Sequence, residues 1–184
     1  MDELAGFEVR PLNGIDTVTD EATSQEPATS DRMVVLGLGN TLLSDEGVGV
    51  HIIDYLRRQA PLHGVDYIDG GTLSFTLAGP IESTDTLIVV DASELQAAPG
   101  TVRCFQGEEM DGFLGSNRKR SVHEVSLLDL LAIAHLAGHL PARRALVGIQ
   151  PASTDWGDAP TEAVAEAIPR AAELVRELIE EWRQ

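Results

Sequence analysis

Apolar residues in this chain fall into short runs separated by longer stretches of helical period. Runs at 33–36, 65–68, 87–90, 102–105 and 145–149 have the length and much of the Val, Ile and Leu content of buried strands. Between and after them, apolar positions recur at helical spacing over about 46–59, 74–80, 124–137 and 161–182. In the last stretch Val164, Ile168, Ala172, Val175 and Ile179 form one stripe, so this helix is expected to pack on a sheet. Ser44 is placed to cap the first helix and Gly138 to end the third. Strands alternating with helices predict an α/β fold, with a mostly parallel, twisted sheet of roughly five strands sandwiched between helices.

The first 32 residues lack any such period. They carry eight acidic and two basic residues among many Ser, Thr and Pro. So little apolar surface with excess charge predicts an acidic, disordered extension (1–32) ahead of a single domain (33–184). A short strand near 7–9 is compatible with the pattern but not required by it.

Across the whole chain, 30 acidic residues face 13 basic ones, a net charge of −17. That balance argues against a nucleic-acid partner, because phosphate-backbone binding needs clustered Lys and Arg. Cys104 is the single cysteine, so no intramolecular disulfide forms, and within its apolar run it reads as a small core residue. No basic-then-apolar leader opens the chain, and no run approaches the roughly 20 apolar residues that span a bilayer. A soluble, cytoplasmic protein without membrane contact is the expectation. Nothing signals an oligomer, so a monomer is expected.

Candidate chemistry collects where strands end. Glu46 follows the first strand, Asp91 closes the run 87–90, and His123 precedes the third helix. A parallel sheet gathers such loops along one edge, where ligands of open α/β folds bind. Two carboxylates and an imidazole make a divalent-metal set with positions left open for water or substrate. Each also has a purely structural reading: Glu46 as a helix-dipole partner, Asp91 as a cap, His123 as a surface histidine. Asp69-Gly-Gly-Thr72 follows the second strand, and its glycines allow close backbone approach to a bound chain. Gly37-Leu-Gly39 starts a dinucleotide fingerprint, but Leu42 occupies the third glycine position, which disfavours a Rossmann cofactor. No GxSxG, HExxH or Walker pattern is present.

Gly37-x-Gly-Asn40, Leu42-Leu-Ser-Asp-Glu-Gly-x-Gly49, Asp69-Gly-Gly-Thr72, the strand ending in Asp91 and the His123 loop together resemble the nickel–iron hydrogenase maturation endopeptidases. The similarity runs from about Met33 to the C-terminus. It implies a three-layer α/β/α fold and a peptidase catalogued as aspartic-type. It also implies that the enzyme removes the C-terminal extension of a hydrogenase large-subunit precursor once nickel is loaded.

By the same resemblance Glu46, Asp91 and His123 contact the metal and are the catalytic set. The nickel arrives with the precursor, and zinc or cadmium can fill the site in vitro. Asp45 and Asp69 are supporting candidates for general base or for peptide positioning. Many relatives have two aspartates where this chain has Asp45-Glu46. A non-catalytic chaperone that holds nickel or the precursor on the same scaffold is the rival reading.

Overall fold

The computed structural model describes residues 32–72, 74–117 and 126–184. Five strands form one sheet: β1 (Met33–Leu38), β2 (Val65–Gly71), β3 (Thr86–Ala92), β4 (Val102–Gln106) and β5 (Arg143–Ile149). Their spatial order is β2-β1-β3-β5-β4, with every pairing parallel except the antiparallel β4–β5 edge. The helices are α1 (Val48–Arg58), α2 (Ala78–Glu82), α3 (Glu108–Asn117), α4 (Leu127–Leu136) and α5 (Glu162–Trp182).

The central strands are apolar on both faces, and each face is covered. On one side Val35, Ile88 and Val147 pack with Ile52 and Leu56 of α1 and with Val164, Val175 and Ile179 of α5. On the other, Val34, Leu87, Val89 and Leu146 pack with Ile81 of α2, Met110 of α3 and Leu130 of α4. These are the three expected layers. Among the described residues no helix is long and apolar enough to cross a membrane.

Three local expectations change. Residues 108–117 form α3, which the apolar pattern did not signal; Arg144 of β5 holds it by an ion pair to Asp111. The first helix begins in two steps, a 3₁₀ turn (Ser44–Gly47) and then α1 from Val48. Ser44 does not cap it: its hydroxyl donates instead to the Asp155 carbonyl, 3.0 Å away. The helix expected over 124–137 is described from its cap onward, where Ser126 and Asp129 form a reciprocal capping box. The proposed extension falls almost wholly in 1–31, outside the described residues.

Close approach of α1 to the sheet explains the glycine pattern. A Cβ on Gly49 would lie 2.2 Å from the Val90 carbonyl oxygen and 2.4 Å from that of Leu38. On Gly39, at φ +129°, it would lie 1.8 Å from the Glu46 carbonyl oxygen. On Gly37 it would lie 2.3 Å from the Gly49 carbonyl oxygen, so the two glycines that suggested a phosphate loop instead seat α1 and the turn before it against β1. Gly49→Ala should destabilise the protein by about 2 kcal/mol in urea unfolding. The helix-propensity gain of roughly 1 kcal/mol is smaller than the cost of overpacking against backbone oxygens.

Candidate functional site

Strand register aligns the ends of the three strands that matter. Gly37 of β1 pairs with Asp69 of β2 and with Val90 of β3, so Leu38, Asp69 and Asp91 share the carboxyl edge of the sheet. The chain runs from β1 outward to β2 and then to β3 on the other flank. The crevice at such a reversal of strand order is where open α/β folds bind ligands. Glu46, in the turn after β1, and Asp91, at the end of β3, border it.

The first of these carboxylates acts on the second. Burial pushes the Asp91 carboxyl up and the nearby Glu46 charge pushes it further, to about 7, against a lowering hydrogen bond from the Ala92 backbone. Asp91 keeps some solvent contact. Glu46 is partly buried and its Oε2 accepts from the Asn40 backbone N–H, which fixes the side chain toward the turn that carries it.

His123 lies outside the described residues. Among the described residues no three His, Cys, Asp or Glu side chains come together as a metal-holding group. The structure thus brings two of the three predicted ligands into electrostatic contact. Like charges held together in a crevice are what a divalent cation would relieve.

Asp45 and Asp69 differ sharply. Asp69 is exposed, and its Oδ1 accepts from the Gly71 N–H at 2.9 Å in a turn of its own. Asp45 is fully buried. Its Oδ2 accepts from the N–H groups of Ala152 (2.8 Å) and Ser153 (3.0 Å) and from the Thr161 hydroxyl (2.9 Å). Its Oδ1 accepts from the Thr161 N–H at 2.6 Å. Burial would raise its pKa, but the bonds from Ser153, Thr161 and Ala152 outweigh that and hold the carboxyl below its ordinary value.

Asp45 therefore ties the 151–161 connection, between β5 and α5, to the turn that bears Glu46. Ser44, at φ +47°, adds to the tie: its N–H donates to the Gly157 carbonyl, and Gly157 N–H donates to that of Leu42. A second buried anchor, Gln150, accepts from the Leu95 N–H at 2.7 Å and holds the loop after Asp91. Nothing in the sequence pattern singled out Gln150 or Thr161, because their partners lie far away in the chain.

Cys104 takes no part in this edge. Burial, with Glu109 and Glu181 nearby, pushes its thiol up to about 11, as suits a packed core residue.

Residues 50–178 match the family model HycI, described as hydrogenase maturation protease. The chain is 35% identical over 158 residues to the hydrogenase expression/formation protein HupD of Rhizobium leguminosarum bv. viciae, covering 85% of this chain and 78% of that one. It is 36% identical over 146 residues to the hydrogenase 2 maturation protease of Escherichia coli K12, covering 78% and 88% respectively. The solved structure of the hydrogenase maturating endopeptidase HybD from E. coli superposes with a TM-score of 0.76 at 34% identity, covering 82% of this chain and 93% of that one.

Proposed function

The chain belongs to the hydrogenase maturation protease family, and we propose that it cuts the C-terminal extension from the nickel-loaded large-subunit precursor of a nickel–iron hydrogenase. The observation that carries this reading is the pair Glu46 and Asp91 at the β1/β3 crevice, where burial and the Glu46 charge together hold the Asp91 carboxyl well above its ordinary value. The precursor's own nickel is the cation the pair reads, with His123 as the third ligand.

Coordination there would orient the scissile segment and polarise its carbonyl, so that only a metal-loaded precursor is cut. Asp69 is the better general base of the two candidates, because it is accessible whereas both oxygens of Asp45 are engaged. The chemistry rests on carboxylates, in keeping with an aspartic-type assignment.

Mass spectrometry of the purified precursor checks this directly. Incubation with the protein should remove one C-terminal peptide from nickel-loaded precursor and leave nickel-free precursor at full mass. Tight binding with no mass change would instead identify a non-catalytic chaperone. Equal cutting of both forms would remove the metal-reading role.

A further inference from the structure

Trp156 is 83% exposed, and Leu42 beside it is 56% exposed. A tryptophan left this open on a small domain calls for an occupant, since aromatic rings in contact patches are common anchors of recognition. Trp156 does not sit on a loose tip. The Asp155 carbonyl before it accepts from the Ser44 hydroxyl, and Gly157 after it exchanges backbone bonds with Leu42 and Ser44. The platform is thus built onto the same turn that carries Glu46. Its immediate surroundings are acidic: Asp155 and Asp158 are both exposed, Glu46 lies on the joined turn, and the chain as a whole is strongly negative.

An exposed aromatic side chain on a strongly acidic chain, with the exposed Asp155 and Asp158 next to it in sequence, is complementary to a cationic side chain, which gains from the ring quadrupole and from the negative charge together. We infer that Trp156 is a substrate-docking and specificity residue: its indole face receives a Lys or Arg side chain of the precursor beside the Glu46–Asp91 crevice. This rests on the proposed substrate, and it adds the chemistry by which that substrate is held.

The test is the dissociation constant of the nickel-free precursor, which is expected to stay uncut, measured by titration calorimetry on the otherwise unaltered protein. Adding Trp156→Ala should weaken binding about tenfold. Trp156→Leu should weaken it nearly as much, since leucine keeps the apolar bulk but has no π face, whereas Trp156→Phe should retain much of the affinity. All three should melt at the temperature of the parent protein, because the side chain is exposed.

Unchanged affinity in the alanine variant overturns the inference. Full affinity in the leucine variant overturns the cation, and no binding by the parent overturns the docking site altogether. If binding depends on Trp156 but the unaltered protein never shortens the nickel-loaded precursor, docking stands and the protease reading fails.

Discussion

Asp45→Ala should lower the unfolding free energy by about 4 kcal/mol at neutral pH, a large fraction of what a domain this size possesses. The carboxylate is fully buried and accepts from three backbone N–H groups and one hydroxyl. Truncation leaves those donors facing a cavity, and unsatisfied buried donors are the expensive side of hydrogen bonding. Asp45→Asn keeps the shape, yet it must turn an amide N–H₂ toward donors, so it should lose much of the same stability.

The sign of the pH dependence follows from the depressed folded-state pKa. In the unfolded chain the group titrates near the ordinary value of about 3.9. Its stabilisation is therefore complete above that pH and is lost as the pH falls through the lower folded-state value. Urea titrations at descending pH should show the gap between wild type and Asp45→Asn shrinking below about pH 4. A gap that stayed constant to pH 3 would mean that shape, and not charge, holds the 151–161 connection.

The same carboxylate shows where sequence reading reaches its limit. The apolar runs placed all five strands, because a buried central strand must be apolar on both faces, and β1, β3 and β5 are. The position of Asp91 at a strand end and of Glu46 in the first turn followed from the same pattern. The α3 helix was invisible because Gly112 and Gly115 dilute its period and its stability comes in part from Arg144, which lies far away in sequence. Asp45 reads in sequence as a candidate general base or peptide-positioning residue, and its anchoring role is hidden because its partners are more than 100 residues further on. Gly37 and Gly39 suggested phosphate binding because glycines that seat a helix on strands look the same in sequence as glycines that cradle an anion.

Asp91→Asn should act in opposite directions on activity and on stability. Precursor processing should fall at least about 100-fold, because one of two carboxylates that bind the developing site is neutralised. Glu46→Gln and His123→Ala should fail similarly if the three residues read one cation.

Stability should instead rise. In the folded protein Asp91 titrates at about 7 because it is buried beside Glu46, whereas the unfolded chain releases that proton near 3.9. Between those values the native state holds a proton that the unfolded state has given up, so wild-type stability drains away as pH rises. Asparagine carries no such penalty. With both proteins freed of metal by chelator, the variant's advantage should be negligible at pH 4, grow toward pH 7 and level off above it. Its plateau should be on the order of 2 kcal/mol, less than the full shift implies because Asp91 keeps some solvent contact.

A site selected to receive a cation is expected to be strained when empty. If Asp91→Asn were no more stable than wild type at pH 8, an ionised Asp91 would carry no cost in the crevice and the physical case for a metal that offsets that cost would be gone. If it also processed precursor normally, the crevice between β1 and β3 would not be where the peptide is cut.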